Sequence, residues 1–227
     1  MLGILYGVGV GPGDAELMTL KAVRIIRENS FIALPGSDPR ETTAYKIAVQ
    51  AVPEISQKTI LPIEMSMTKD KDELKRNHVA GANCIERYLK DGKNVVFLCL
   101  GDPSIYSTYT YIAQIVKEHG YETQMISGIP SFCAAAAKSN VSLTKWNEPL
   151  EIIPVTHNLS ECRDDVNYIY MKAGKSLASL KSVLADSDKD VFCIENCGME
   201  NERVYHGIKE IPDEAGYYTL VIAKNKF

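Results

Sequence analysis

A glycine-rich stretch near the start of the chain has the residue types of a small-molecule binding loop. It runs Gly7-Val8-Gly9-Val10-Gly11-Pro12-Gly13-Asp14, after an apolar run and before an amphipathic segment at 15–28. The order strand, glycine loop, helix brings backbone N–H groups and a helix N-terminus to one ligand. Glycine permits a close approach because it has no Cβ. The pattern therefore predicts a ligand-binding loop.

The spacing of this loop departs from the two common nucleotide motifs. A dinucleotide fingerprint needs a third glycine, but the frame that starts at Gly7 has Pro12 there and the frame that starts at Gly9 has Asp14. No Gly-Lys-Ser/Thr follows, so a Walker phosphate loop is excluded too. A NAD(P)-dependent oxidoreductase remains an alternative. It is disfavoured further because no acidic residue ends the predicted strand at 31–34.

Residues 1–127 alternate predicted strands with predicted helices, which is typical of a parallel sheet with right-handed crossovers. The run Val95-Val96-Phe97-Leu98-Cys99-Leu100 is apolar at every position, as expected for a central strand buried on both faces. The pattern predicts strands at 3–10, 31–34, 59–63, 95–100 and 122–126, and helices at 15–28, 42–51, 70–90 and 106–120.

Three glycine-bearing segments each follow one of these predicted strands. They are Gly7–Gly13, Gly101-Asp102-Pro103 and Gly128-Ile129-Pro130. In open α/β sheets, ligands bind outside the carboxyl ends of the strands. We therefore expect the three segments to line one crevice.

From about residue 128 the pattern changes to short strands with few helices. We interpret 128–227 as a C-terminal α/β domain with a mixed sheet, and 1–127 as the N-terminal α/β domain with the glycine loop. The pattern predicts strands at 150–155, 168–171, 191–195, 204–207 and 217–223, and helices at 131–138 and 176–185.

The composition is that of an ordinary globular protein, and it argues against several classes of function. The formal net charge is −4, which argues against nucleic-acid binding, because that needs a basic face. No apolar run reaches the roughly 20 residues needed to span a bilayer, and no secretory signal is visible, so we expect no membrane partner and a cytoplasmic location. The cysteines and histidines are scattered, so no metal site is predicted.

Four segments of the chain together resemble the motifs of the tetrapyrrole (corrin and porphyrin) methylases. They are Gly9-Val10-Gly11-Pro12-Gly13-Asp14 with the Glu16-Leu17-Met18-Thr19-Leu20-Lys21-Ala22 that follows, Gly101-Asp102-Pro103, Gly128-Ile129-Pro130-Ser131, and Glu195-Asn196-Cys197-Gly198-Met199. Each motif alone is weak, but the four occur in the family's order over nearly the whole chain.

The resemblance implies a fold and a reaction. The fold is the two-domain tetrapyrrole methylase fold, with S-adenosylmethionine (SAM) in the cleft between the domains. The reaction is methyl transfer to a corrin or sirohaem precursor. Because the methyl group of SAM is already activated, the protein mainly has to align donor and acceptor in a dry cleft. Few acid–base groups are then required.

The resemblance also implies individual cofactor contacts. Leu100 replaces the first glycine of the family's Gly-Gly-Asp turn, and the order Gly128-Ile129-Pro130 departs from the family's Pro-Gly. As alternatives, Asp102 could simply cap its turn and Met171 could be a core residue. The implied SAM contacts are Pro12, Leu100, Gly101, Asp102, Ile105, Ser131, Phe132, Met171 and Cys197.

Three side chains near the second motif are candidates for contacts with the substrate. Asp102 is the candidate for acid–base chemistry, because methylation of a ring-bridging carbon releases a proton or leaves it in another tautomer. Tyr106 and Tyr109 could line a pocket for a flat macrocycle through ring stacking. The alternative is that these tyrosines belong to a buried helix.

The sequence around these tyrosines resembles one branch of the family in particular. The run Gly-Asp-Pro-Ser-Ile-Tyr-Ser-Thr-Tyr at 101–109, with Ile-Pro-Ser-Phe at 129–132, resembles the enzymes that methylate carbon 20 of precorrin-2 or cobalt-factor II. The family usually forms homodimers, so we expect one here. The alternatives are a methylase of another ring position, a diphthine synthase and a non-catalytic nucleotide sensor.

A corrin precursor carries many carboxylates, so basic residues should rim its pocket. Lys69, Lys71, Lys75 and Arg76 form one basic cluster, and Lys138 and Lys145 follow the predicted helix at 131–138. Solvated helix faces are the favoured interpretation for most of these residues, since acidic neighbours balance them.

Overall fold

The computed structural model of the protein describes residues 1–65, 68, 70–155, 159 and 162–226. It divides into two compact units, Met1–Pro130 and Ser131–Phe227. The predicted division between residues 127 and 128 lies three residues before this one. None of the helices in the described ranges combines the length and the apolar character needed to cross a membrane.

The residues described in the first unit form a sheet of five parallel strands with helices packed on it. The strands are β1 (Ile4–Gly9), β2 (Phe31–Pro35), β3 (Thr59–Ile63), β4 (Val95–Cys99) and β5 (Glu122–Ile126). They lie in the order β3-β2-β4-β1-β5, and every neighbouring pair is parallel. The helices are α1 (Leu20–Glu28), α2 (Thr43–Ala51), α3 (Lys71–Lys90) and α4 (Tyr109–Glu118).

The central strand β4 is buried along its whole length, as its apolar sequence predicts. Val96 and Leu98 contribute to the hydrophobic core on one side of the sheet. Val95, Phe97 and Cys99 contribute to a second core. Successive side chains of a strand point to opposite faces, so a strand covered by helices on both faces needs apolar residues throughout.

Two helices of this unit begin later than the sequence pattern predicts. Asp14 caps only a short 3₁₀ turn, accepting a hydrogen bond from the Glu16 N–H at 2.8 Å. Thr19 then caps α1 by accepting from the Ala22 N–H at 3.1 Å. The predicted single helix at 15–28 is therefore wrong in its first turn, because two capping residues follow each other. The predicted helix at 106–120 begins only at Tyr109.

In the described part of the second unit, a mixed sheet of five strands is accompanied by two α-helices. Helix α5 (Ser131–Lys138) begins the unit, and α6 (Leu177–Leu184) connects two of its strands. The strand order is β6-β7-β10-β8-β9, with only the first pair parallel. The strands are β6 (Leu150–Pro154), β7 (Asn167–Met171), β8 (Lys189–Glu195), β9 (Arg203–His206) and β10 (Thr219–Asn225). The predicted fold class, with a parallel-sheet and a mixed-sheet domain, is confirmed.

A polar network holds one end of the second sheet together. Glu148 accepts hydrogen bonds from the Asn167 side chain at 2.9 Å, the Lys145 N–H at 3.1 Å and the Asn225 side chain at 3.4 Å. The Asn225 N–H in turn donates to Asn167 Oδ1 at 2.7 Å. The side-chain hydrogen bond from Asn167, followed by that from Asn225, lowers the pKa of Glu148 below its ordinary value of 4.5.

This network makes a stability prediction. Because the pKa of Glu148 is lower in the folded chain than in the unfolded one, its carboxylate stabilises the fold at neutral pH. That contribution is lost as the pH falls through the folded-state pKa. We therefore expect Glu148→Gln to lower the free energy of unfolding at about pH 7 and to have a smaller effect at about pH 3, measured by urea denaturation. Glu200→Gln, at an exposed carboxylate of the same unit, is the matched control. An equal effect of Glu148→Gln at both pH values would contradict the prediction.

Candidate active site

The order of the strands in the first unit places β1 and β4 side by side at the centre of the sheet. The two strands are parallel, so their carboxyl ends lie at the same edge. In open parallel sheets ligands bind outside this edge. The glycine loop follows β1, and the segment Leu100–Asp102 follows β4.

Main-chain hydrogen bonds join these two loops directly. The Gly101 N–H donates to the Gly11 carbonyl at 2.8 Å, and the Gly11 N–H donates to the Gly101 carbonyl at 3.3 Å. Both glycines have positive φ, +78° and +70°, which side chains other than glycine rarely adopt. The two loops therefore form one short antiparallel bridge at the carboxyl ends of β1 and β4.

The segment after β5 completes the cluster. The Gly128 N–H donates to Asp102 Oδ2 at 2.9 Å. A Cβ atom on Gly128 would lie 2.1 Å from the Gly101 carbonyl oxygen, and one on Gly9 would lie 2.6 Å from the Gly128 nitrogen. The three glycine-bearing segments thus meet, as the sequence predicts, and only residues without a side chain fit at their contact.

Asp102 links two of these loops through its carboxylate. Besides Gly128, it accepts hydrogen bonds at Oδ1 from the Ser104 N–H at 2.8 Å and from the Ser104 hydroxyl at 2.5 Å. The capping role that the sequence left open as an alternative is therefore present. A carboxylate has about four lone-pair positions, so these three donors leave room for one more partner. The acid–base role of Asp102 stays a prediction.

The other predicted residues of the first unit lie around this contact. Pro12, which stands between Gly11 and Gly13 in the sequence, is buried. Gly101 is also buried, in the bridge. Leu100 is half-buried and packs against the core that contains Val96 and Leu98. The Ile105 N–H donates to the Asp102 carbonyl at 3.2 Å, which closes a turn.

The charge of the three loops is negative. The segments 7–19, 99–108 and 126–131 contain Asp14, Glu16 and Asp102 and no lysine, arginine or histidine. A phosphate-bearing nucleotide would need positive side chains or a dedicated phosphate loop here. Acidic loops suit a cationic or neutral nucleoside better.

The two candidate tyrosines occupy different environments. Tyr106 is 50% exposed and has φ of +47°. This conformation is not helical, which explains why α4 starts after Tyr106 and not at it. Tyr109 is only 1% exposed; its ring fills the space beside Gly7, and its hydroxyl donates to the Gln124 carbonyl at 3.3 Å. Burial raises the pKa of Tyr109 far above its usual range. The prediction that Tyr109 stacks on a substrate is therefore wrong, because its ring belongs to the core.

In the second unit, two of the predicted residues lie at the same end of the sheet. Met171 ends β7 and pairs with Leu220, and Glu195 ends β8 and pairs with Thr219. The segments after β7 and β8 therefore meet at the start of β10, and the second of these contains Cys197.

Cys197 is 6% exposed, and burial, followed by the charge of Glu202, raises its pKa to about 11. A thiol with this pKa is protonated at neutral pH, so Cys197 is unsuited to nucleophilic chemistry. At the start of α5, Ser131 is half-buried and Phe132 is 7% exposed.

Most of the predicted basic residues have ordinary surroundings. Lys138 forms an ion pair with Glu202 at 3.1 Å. Lys75 and Arg76 lie on one face of α3 beside an open cavity of about 450 Å³. Lys71 is exposed, and Lys69 lies outside the described residues. The acidic residue Asp72 lines the same cavity, which agrees with a solvated helix face.

The model of the family described as Tetrapyrrole (Corrin/Porphyrin) Methylases matches residues 4–211. The chain belongs to the tetrapyrrole methylases. The resemblance of its four motifs is thereby confirmed, since all four lie within the matched residues.

Two curated relatives match this methylase over nearly its whole length. The probable cobalt-precorrin-2 C(20)-methyltransferase of Methanocaldococcus jannaschii is 34% identical over 225 residues, covering 97% of this chain and 95% of that protein. The precorrin-2 C(20)-methyltransferase of Sinorhizobium sp is 26% identical over 234 residues, with the same two coverages, 97% and 95%.

Solved structures of other methylases share the fold. The uroporphyrin-III C-methyltransferase of Thermus thermophilus, complexed with S-adenyl homocysteine, superposes with a TM-score of 0.68 at 20% identity, covering 98% of this chain and 97% of that one. A cobalt precorrin-4 methyltransferase gives 0.70 at 15% identity, with coverages of 97% and 94%. At these identities the likeness concerns the fold alone.

Sequence reasoning missed two contributors to the loop cluster of this methylase. Ser104 provides two of the three donors to Asp102. Thr19, besides capping α1, donates its hydroxyl hydrogen to the Ser127 carbonyl at 3.2 Å and so connects the first loop with the third. The Asp-x-Ser spacing at 102–104 is a recognisable side-chain turn signal for the first. No local pattern indicates the second, because its partner lies 108 residues away.

Proposed function

We propose that this chain is a SAM-dependent C-methyltransferase that methylates carbon 20 of precorrin-2, or of its cobalt complex, in cobalamin biosynthesis. The observation that carries the proposal is the 34% identity, over 97% of the chain, to a protein named probable cobalt-precorrin-2 C(20)-methyltransferase. A second relative of this name, from Salmonella typhimurium, matches 100% of the chain at 24% identity. Cobalt, where present, would belong to the substrate.

The residues of the first unit fit SAM chemically. SAM has a positively charged sulfonium and no phosphate, and the three loops have three carboxylates and no basic side chain. Close backbone contacts at Gly9 and Gly128 leave main-chain groups, rather than side chains, at the carboxyl ends of the strands. When bound, SAM supplies an activated methyl group for transfer to a carbon nucleophile.

The proposed cofactor contacts follow from the family motifs. In the first unit they are main-chain groups of the bridged loops, the side chain of Ile105 and the carboxylate of Asp102. The half-buried Leu100 can contribute only backbone atoms in the manner of the glycine it replaces. The complete set is Pro12, Leu100, Gly101, Asp102, Ile105, Ser131, Phe132, Met171 and Cys197.

For the substrate we propose two roles in the first unit. Tyr106, half exposed and next to the Asp102 turn, offers its ring to a flat macrocycle. Asp102 accepts the proton that leaves the methylated carbon, through the lone-pair position that its three protein donors do not occupy. We further propose a homodimer, as is usual for the family, and a cytoplasmic location.

The deciding experiment is a transfer assay with defined acceptors. The purified protein is incubated with SAM and precorrin-2, with and without bound cobalt, and the product is analysed by mass spectrometry and NMR. We expect a mass increase of one methyl group, located at carbon 20. In parallel, calorimetry should detect binding of S-adenosylhomocysteine (SAH) and no binding of NADH.

The other outcomes separate the alternatives. A methyl group at a different carbon would identify a methylase of another ring position. Transfer to a translation factor, and not to the macrocycle, would identify a diphthine synthase. Binding of SAH without transfer to any of these acceptors would indicate a nucleotide sensor and would contradict the proposal.

A further inference from the structure

An exposed pair of tyrosines lies directly before β10 in the second unit. Tyr217 is 56% exposed and Tyr218 is 39% exposed, and their rings meet edge to face with centroids 5.3 Å apart. The ammonium group of Lys172 lies 5.9 Å from the centroid of the Tyr217 ring. Together these side chains present two aromatic rings and a positive charge on one small surface, here called the tyrosine surface.

The tyrosine surface lies at the end of the sheet that contains the proposed cofactor residues of this unit. The Asn196 N–H donates to the Tyr218 carbonyl at 2.9 Å, and Asn196 is the residue before Cys197. On the other side, Met171, the residue before Lys172, pairs with Leu220. The segments that carry Met171 and Cys197 therefore flank the tyrosines directly.

The backbone around the tyrosines is held in an unusual conformation. Lys172 and Asn196 both adopt positive φ, +59° and +53°, although neither is glycine. The segment before the tyrosines is fixed by the Gly216 N–H, which donates to the Glu195 side chain at 2.8 Å. Asparagine adopts this region readily, but a lysine there costs conformational energy, and such residues cluster at functional sites. Tyrosines on a fixed backbone also lose little freedom when they bind.

We propose that the tyrosine surface binds the macrocyclic substrate, with Tyr217 and Tyr218 against the ring system and Lys172 near a peripheral carboxylate. This inference rests on the proposed function and adds three specificity-determining residues to it. The chemistry matches the substrate class: aromatic rings pack on a flat conjugated macrocycle. An ammonium group gains a charge-assisted interaction with a carboxylate.

The test compares variants of the tyrosine surface with a control at the other end of the same sheet. Tyr217→Ala/Tyr218→Ala and, separately, Lys172→Asn are assayed for methyl transfer; asparagine tolerates positive φ and removes the charge. The control is Trp146→Ala. Trp146 is fully exposed. The side chain of Asn167, at the start of β7, donates a hydrogen bond to Glu148, two residues after Trp146.

We expect the double tyrosine variant to raise the KM for precorrin-2 by about tenfold or more, a loss of at least one factor of ten in affinity. The KM for SAM and the Kd for SAH should stay within about twofold of the unaltered protein, a difference of less than one kcal/mol. Lys172→Asn should weaken binding by a smaller factor and make it less sensitive to salt. Trp146→Ala should change none of these values.

A direct binding measurement keeps the test independent of turnover. Uroporphyrin III, a flat macrocycle with eight carboxylates, is titrated into each variant and its absorbance shift is followed. Weaker uroporphyrin binding in the tyrosine and lysine variants alone would support the proposal. Unchanged binding and unchanged KM for precorrin-2 would overturn it, while the methyl transfer itself would leave the proposed function standing. Absence of SAH binding in every variant and in the unaltered protein would instead overturn the proposed function.

Discussion

Gly9→Ala is expected to abolish SAH binding, with a rise in Kd of at least about a hundredfold, which corresponds to about 2.7 kcal/mol. A Cβ atom at this position would lie 2.5 Å from the Gly101 carbonyl oxygen and 2.6 Å from the Gly128 nitrogen. Both are backbone atoms of the two other loops, so neither can move aside as a flexible side chain would. The loops must separate, and the proposed SAM contacts at Pro12 and Gly101 separate with them. Isothermal titration with SAH measures the effect.

A control is needed because an added methyl group also destabilises a packed fold, typically by about 1–3 kcal/mol. Gly120→Ala provides it, since Gly120 has φ of +89° and no atom lies within 4 Å of its missing Cβ. This variant should lose about 1 kcal/mol of stability from backbone strain alone and keep full SAH affinity. Normal SAH binding by a folded Gly9→Ala protein would show that the meeting of the three loops is unrelated to the cofactor.

The contact between the three loops could be predicted from the sequence because it follows from a general property of parallel sheets. Apolar strands mark the parallel sheet, glycines mark the segments after three of its strands, and the carboxyl ends of parallel strands share one edge. The hydrogen bonding between Gly11 and Gly101 could not be predicted from the sequence. It depends on the strand order β3-β2-β4-β1-β5, which makes β1 and β4 neighbours although 85 residues separate the end of one from the start of the other.

Tyr109 shows why side-chain roles are harder to predict. In the sequence, Tyr106 and Tyr109 are three residues apart, the spacing of neighbours on one helix face. The left-handed conformation of Tyr106 removes it from the helix, so the two rings point into different surroundings. A residue with positive φ other than glycine or asparagine leaves no signal in the sequence, and the burial of Tyr109 against Gly7 is a contact across 102 residues.

Asp102→Asn is expected to lower kcat by about 100-fold or more at saturating SAM, the range of a lost acid–base group. The substitution keeps the size of the side chain and an oxygen that can accept from Ser104. It removes the charge and the second acceptor, so an amide group faces the Gly128 N–H that now donates at 2.9 Å. Because a donor then opposes a donor, the Kd for SAH should rise as well, by a smaller factor.

Two further variants separate the two roles of Asp102. Ser104→Ala removes the hydroxyl donor at 2.5 Å and keeps the carboxylate, so it should weaken SAH binding modestly and leave kcat at saturating SAM unchanged. Asp102→Ala removes both roles and should lose affinity and turnover together. If Asp102→Asn instead bound SAH weakly but kept its full kcat once saturated, the carboxylate would only hold the loops after β4 and β5 in place. The proton of the methylated carbon would then be accepted by a different group, and the side chains next to the tyrosine surface would be the next candidates.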